Sequence, residues 1–356
     1  MKKKVVAIGV SGGVDSSVSA YLLKKQGFDV FALFMKNWQD ENSTCSSQKD
    51  FEDVQKVCKT LDIDYHTINF EKEYFDQVFS KCLDELKLGI TPNPDILCNK
   101  EIKFNLFLKK AIDLGADFLA TGHYVQKKMI DDRLHLIKGV DSNKDQSYFL
   151  YTLKSEILKT LVFPIGHLTK KEVRKIAKEQ NLSTHAKKDS TGICFIGKRK
   201  FTEFISKYIS HTPGDIRSVE GQILNKHIGL SFYTIGQRKG LKIGGKGNAW
   251  YVVKKDLKTN TLIVAQGENH KALFASKLIA KKLSFVVDSF SIKAPFRCLA
   301  KIRYRQNDQV CTIEKLENDS IEVSFGKPQR AITEGQSIVF YKGNICLGGA
   351  IIVKVL

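Results

Sequence analysis

Residues 9 to 17 read GVSGGVDSS and fall where an apolar run, VVAIGV, hands over to an amphipathic one. Adjacent glycines allow a tight turn, so Ser11, Gly12 and Gly13 can aim N–H groups at an anion while the following helix adds its positive end. Phosphate is the expected guest. The pattern is neither GxxxxGK[ST] nor GxGxxG, and no lysine inside the turn could reach terminal phosphates. Asp15 and Ser16 suit a magnesium-bridged pyrophosphate, because a carboxylate beside phosphates needs a cation between them.

Two cysteines stand in segments of a different kind. Cys98 lies in the run GITPNPDILCN, residues 89 to 99, whose prolines and asparagines predict a rigid, exposed loop with no helix. Cys194 lies in DSTGICFIG, residues 189 to 197, shortly after Lys187 and Lys188, whose charges would favour a thiolate. The other cysteines, Cys45, Cys58, Cys82, Cys298, Cys311 and Cys346, form no CxxC pair, which argues against a zinc ribbon or a disulfide framework.

Elements must position these groups. VVAIGV, DVFALF, YHTINF and DFLATG read as strands, alternating with helices near 14–26, 51–61, 74–88 and 104–114. Continuous apolar runs imply parallel strands buried on both faces, hence a doubly wound sheet with ligands at its carboxyl ends. Residues 124 to 140 predict a hairpin turning at Asp131 and Asp132. Thr169, three residues before Glu172, predicts a capping box on a helix through Glu179. A short helix is expected around 201–208.

After Thr212 short strands and glycine turns take over, a β-rich region followed from Leu278 by a series suited to a small barrel or sandwich. Within it Arg303, Tyr304 and Arg305 read as an alternating strand that could meet phosphate and a base. The basic run GQRKGLKIGGKG, 236 to 247, reads as a flexible RNA-facing segment. Expected boundaries are 1–210, 211–276 and 277–356.

The 356 residues are 42% hydrophobic and 27% charged, the composition of a globular chain of two or three domains. Lys and Arg number 57 against 38 Asp and Glu, a net charge of +19, and such a field draws polyanions. The six-residue apolar run near the start is too short for a signal peptide, and no stretch nears the roughly 18 apolar residues of a membrane span. A soluble, cytoplasmic protein is expected.

The turn resembles the SGGxDS loop of enzymes that split ATP into AMP and pyrophosphate to activate a carbonyl oxygen. Along the whole length, through GVSGGVDSS, NPDILCN, ATGHY, KDQSYFL, GICFIG and IRYR, the chain resembles the tRNA-specific 2-thiouridylase (MnmA) family. The resemblance implies an adenine nucleotide alpha hydrolase-like N-terminal domain, two β-rich domains of which the last is a β-barrel, and 2-thiolation of the wobble uridine at tRNA position 34. It places ATP with magnesium on Gly9, Val10, Ser11, Gly12, Gly13, Val14, Asp15 and Ser16, with Met35 and Gly122 at the adenosine. Asn93, Pro94 and Asp95 would face the target base, and Lys144, Asp145, Gln146, Arg303 and Tyr304 the tRNA. Cys98 matches the nucleophile and Cys194 the persulfide carrier. It further implies acceptor tRNAs for Lys, Glu and Gln and a persulfide relay fed by a cysteine desulfurase; a monomer acting without a fixed metal is expected.

The chemistry is coherent by itself. A uridine C2 oxygen leaves poorly until adenylated, after which sulfur can displace it as part of AMP. The rival readings are an ATP-dependent ligase acting on a small metabolite, which needs no Cys98, and a nucleotide-dependent RNA-binding protein without catalysis.

Overall fold

The computed structural model describes residues 3–38, 46–189, 201–287, 293–317 and 319–356. Its first sheet contains β1 (Val5–Val10), β2 (Asp29–Lys36), β3 (Tyr65–Asn69) and β4 (Phe118–Ala120). The hairpin strands are β5 (Val125–Ile130) and β6 (Arg133–Lys138), and β7 (Leu161–Val162) completes the parallel sheet in the order β3-β2-β1-β4-β7. Side chains alternate across it as a two-residue period demands. Val6, Ile8 and Val10 join a core with helix α1 (Val14–Lys25) and helix α2 (Ser46–Leu61), while Ala7 faces a second core with Tyr74, Leu83 and Phe107. Val6, Ala7 and Ile8 are fully buried, and each large apolar side chain so removed from water contributes about 1.5–3 kcal/mol.

The hairpin turns at Asp131 and Asp132 with φ of 47° and 58°, the left-handed pair that a two-residue turn requires. It does not extend the parallel sheet. Instead β6 pairs with a strand of the C-terminal barrel, Ile137 opposite Ile345 and Leu136 opposite Cys346. Helix Lys170–Glu179 begins as expected: Thr169 accepts from the Glu172 N–H, and Glu172 accepts from the Thr169 N–H at 2.7 Å.

A four-stranded sheet comes next, formed by β8 (Gly214–Ser218), β9 (Ile223–His227), β10 (Trp250–Asp256) and β11 (Thr261–Gln266) in the order β10-β11-β8-β9. The last region contains β12 (Phe274–Phe285), β13 (Phe296–Lys301), β14 (Gln309–Glu317), β15 (Ser320–Arg330), β16 (Ser337–Lys342) and β17 (Ile345–Val355). Because β12 pairs with both β15 and β17, six antiparallel strands close into a barrel, which decides between barrel and sandwich.

Three local expectations are corrected. The segment 89–99 is not all loop, since Pro94–Leu97 is helical and runs into a π-helical stretch, Cys98–Phe107. Pro94 stands at the first helical position and Asn93 caps it, so the residues read as breakers are start signals. Arg303, Tyr304 and Arg305 come after β13 in a turn and form no strand. The predicted helix near 74–88 begins at Glu71 and is interrupted by a π turn over Phe75–Phe79.

Candidate active site at the carboxyl ends of the parallel strands

The order of strand addition reverses between the parallel neighbours β1 and β4, and the crevice outside the carboxyl ends of two such strands is where open α/β sheets bind ligands. GVSGGVDSS occupies that point. Gly12 has φ +68° and a Cβ there would stand 2.4 Å from the Asp50 carbonyl oxygen, so only glycine fits. Gly13 precedes α1 without a side-chain cap, which leaves its first N–H groups for an anion. Ser16 and Ser17 turn inward, both hydroxyls donating to the Gly13 carbonyl at 3.1 and 2.8 Å. Gly122, after β4, lies so close that its Cβ would meet the Ser16 nitrogen at 2.9 Å, which brings ATGHY against the turn. Met35 packs its side chain into the core beneath, leaving its backbone at the end of β2.

Asp15 meets partners that sequence reasoning did not supply. Its carboxylate accepts from the Tyr124 hydroxyl at 2.6 Å and from the Lys170 ammonium at 2.7 and 2.8 Å. Lys170 also pairs with Asp189 at 2.8 Å, which accepts from Arg174 at 2.8 Å and from Lys144 at 2.5 Å. Burial opposes ionisation of Asp189, but Lys144 and Lys170 outweigh it and hold the carboxyl well below its usual range. Burial first, then Asp15, pushes the Tyr124 phenol upward, so it stays a donor. The capping box had located the helix bearing Lys170, but no local pattern relates Lys170 to Asp15. His123 is buried against Thr121 at 2.8 Å, and burial followed by Lys103 holds it neutral.

Cys98 is fully buried at the start of the π-helical stretch, contrary to the expected exposed thiol. π turns recur at functional sites. The same stretch brings Phe107 against Gly9, where a Cβ would lie 3.0 Å from the ring, so the nucleophile candidate's helix abuts the phosphate turn. Asn93 caps the preceding helix by accepting from the Ile96 N–H at 3.4 Å, and Asp95 lies within its first turn. Burial, Glu85 and Asp95 together push the nearby Cys82 thiol up to about 12. Asn99, 4% exposed, donates to the Phe149 carbonyl at 3.3 Å and leaves its own oxygen without a hydrogen bond.

Phe149 connects this helix to the expected tRNA residues. Its ring packs on Tyr304 at 4.5 Å, and the Tyr304 hydroxyl donates to the Lys144 carbonyl at 3.3 Å. Burial, then Asp145, pushes the Tyr304 phenol up to about 12. Asp145 is buried and spends its oxygens on the Gly139 and Ser147 N–H groups and the Ser147 hydroxyl, while Gln146 accepts from the Tyr124 N–H. Arg303 donates to the carbonyls of Ile235 at 3.1 Å and Ala331 at 2.8 Å, joining the middle sheet to the barrel. In this structure, then, Asp145, Gln146 and Arg303 organise the surface that Lys144 and Tyr304 share. The basic run 236–247 borders a cavity of about 380 Å³ with Arg238, Lys242 and Trp250 in its wall.

Cys194 lies outside the described residues. Lys187, expected to favour its thiolate, pairs with Asp50 at 2.7 Å and Asp53 at 2.6 Å. Burial lowers the Lys187 ammonium's affinity for its proton, and the two carboxylates more than restore it.

Residues 3–198 match the family model described as the tRNA methyl transferase HUP domain, 202–266 its PRC-barrel domain, and 275–352 an aminomethyltransferase beta-barrel domain. Full-length relatives span all three matched regions. A tRNA-specific 2-thiouridylase MnmA of Protochlamydia amoebophila is 54% identical over 98% of this chain and 93% of its own. The MnmA 1 protein of Geobacillus kaustophilus is 54% identical over 100% and 97%, and the MnmA of Listeria innocua 54% over 98% and 94%. The chain belongs to the tRNA-specific 2-thiouridylase family. The expected resemblance and the three-part fold therefore hold for this chain.

Proposed function

We propose that this protein thiolates C2 of the wobble uridine, position 34, of tRNA with ATP and a cysteine persulfide. The observation that carries the reading is the joining of an uncapped, glycine-built turn at the sheet's reversal point to the Cys98 helix through the Gly9–Phe107 contact. Phosphoryl activation and sulfur chemistry need this proximity. Full-length kinship to proteins named for thiolation favours it over the methyl transfer in the family model's description.

Gly9 to Ser16 would hold the phosphates of ATP, with backbone at Met35 and Gly122 beside the adenosine. Lys170 supplies the cation that the turn lacks. Magnesium would come on the nucleotide. The uridine O2 attacks the α-phosphorus and pyrophosphate leaves. The terminal sulfur of a Cys194 persulfide then attacks C2 and AMP departs with the oxygen. Cys98 thiolate attacks the Cys194 sulfur, leaving sulfur on C2 and closing a Cys98–Cys194 disulfide that a reductant reopens. Alternatively the same disulfide forms first and releases hydrosulfide as the nucleophile. Asn93, Pro94 and Asp95 would face the flipped base, with Lys144 and Tyr304 on the RNA and Asp145, Gln146 and Arg303 behind them.

We assign activation to 1–210 and RNA holding to 211–276 and 277–356, in keeping with the excess positive charge. Expected acceptors are tRNAs for Lys, Glu and Gln, with sulfur from a desulfurase-fed relay, and the unit is a monomer working in the cytoplasm. Among the described residues no helix is long and apolar enough to cross a membrane.

The test is mass spectrometry of nucleosides after incubation of the protein with unmodified tRNA, ATP, magnesium, a thiol reductant and a persulfide donor, a cysteine desulfurase supplied with cysteine. 2-Thiouridine from wild type, and none from Cys98→Ser or Cys194→Ser, is expected. ATP turnover without thiolated tRNA would replace this reading with that of a ligase.

A further inference from the structure

Between helix Ser80–Lys87 and helix Pro94–Leu97 the chain has no regular structure, yet it delivers Cys98. Gly89 ends the first helix with φ +73°, its N–H donating to Leu86 at 2.9 Å and the Ile90 N–H to Glu85 at 3.0 Å, the double bond of a Schellman stop. Beyond that point the holding groups come from the two β-rich regions. Lys255 of β10 donates to the Gly89 carbonyl at 2.9 Å, placing an ammonium at the negative end of the helix. Leu257 packs on the same residue, where a Cβ would stand 2.7 Å from its methyl.

The barrel takes the next three residues. Thr91 donates its N–H to Glu334 at 3.2 Å, and the Gln336 amide donates to the carbonyls of both Thr91 and Pro92 at 2.9 Å. Gly335, with φ +88°, comes so near that a Cβ would lie 2.3 Å from the Ile90 methyl and 2.6 Å from the Thr91 carbonyl oxygen. Asn93 then caps the next helix, which runs directly into Cys98.

We propose that the middle sheet and the barrel act as a two-sided clamp on residues 89–92, making Lys255 and Gly335 positioning residues that hold Cys98 in its buried seat. Each acts through the segment that leads into Cys98. The consequence for catalysis rests on the thiolation reading, whereas the clamp itself does not. The regions assigned to hold tRNA thus grip the chain that carries the nucleophile, so RNA seated on them and the placement of Cys98 are mechanically linked.

The first readout uses the full chain without tRNA or ATP: the rate of N-ethylmaleimide modification of Cys98, followed by peptide mass spectrometry. In Lys255→Met and Gly335→Ala the rate rises about tenfold or more, the effect of losing roughly 1.4 kcal/mol or more of local closure. Cys58 and Cys346, both buried elsewhere, keep their wild-type rates, and Lys255→Arg, which retains a donor, restores protection at Cys98. An unchanged Cys98 rate, or an equal rise at all three cysteines, overturns the clamp.

The second readout separates catalysis from binding. Lys255→Met should lower kcat for thiolation about tenfold while its tRNA Kd stays within about twofold of wild type, since only positioning is lost. A loss confined to Kd refutes the positioning role. If wild type thiolates no tRNA at all, the functional reading fails, and the modification rates still decide the clamp.

Discussion

The glycine turn at 9–16, proposed to hold phosphate, and the segment at 89–98, proposed to carry the nucleophile, share one domain and are joined through the Gly9–Phe107 contact, but they are held in different ways. The turn is fixed by its own backbone: positive φ at Gly12, an uncapped α1, and serine hydroxyls folded back on Gly13. The nucleophile segment is fixed by side chains and backbone from β10 and from the approach to β16, more than 160 residues away in each case. On the proposed reading, nucleotide binding is complete within the first domain whereas placing the thiol draws on all three, so that ATP is held without RNA while the cysteine stays sequestered.

The contrast can be attacked first at the turn. Gly12→Ala forces a Cβ onto the Asp50 carbonyl at a left-handed φ, costing about 2–4 kcal/mol and lowering tRNA-dependent pyrophosphate release about a hundredfold. Near-normal release would show that the turn is not the phosphate site. Lys170→Ala probes the hydrogen-bonded contact to that turn from farthest along the chain. Removing an ion-paired donor is worth about 1.5–3 kcal/mol, so pyrophosphate release should fall roughly ten- to a hundredfold with a weaker ATP Kd, measured by calorimetry.

Tyr124→Phe deletes the 2.6 Å bond to Asp15 while keeping the ring, and chemical denaturation should show a loss of about 1–2 kcal/mol. A neutral result would mean Lys170 alone orients Asp15. Thr169→Ala removes the cap of the helix that presents Lys170, at a cost of about 1 kcal/mol and a small fall in Tm. The last test uses the pH dependence of Asp189 rather than its loss at neutral pH. Its folded value lies below the ordinary one, so its contribution is complete above about pH 4 and is lost as pH falls through the folded value. Tm measured between pH 6 and pH 2 should therefore fall less steeply on the acid side in Lys144→Ala than in wild type, because that variant has less to lose.

The sequence by itself determined the features that depend on neighbours a few positions apart. The continuous apolar runs of β1 and β2 set a sheet buried on both faces, the glycines of 9–16 set the turn, Asp131 and Asp132 set the hairpin, and Thr169 with Glu172 set a helix start. Each arises from backbone geometry or from hydrogen bonds spanning three or four residues. Even there, Pro94 and Asn93 misled, since the same residues that break helices also begin them, and the choice depends on whether the residues after them can continue a helix.

Tertiary structure alone decided the rest. It seated Cys98 out of solvent, turned Arg303 toward carbonyls, spent Asp145 on its own loop, and recruited the hairpin to the barrel. It also brought Lys170 to Asp15 across 155 positions of chain. Local pattern carries no record of such meetings, because a side chain's burial and partners are set by which surfaces the closed barrel and sheets bring into contact, and that is a property of the packed whole.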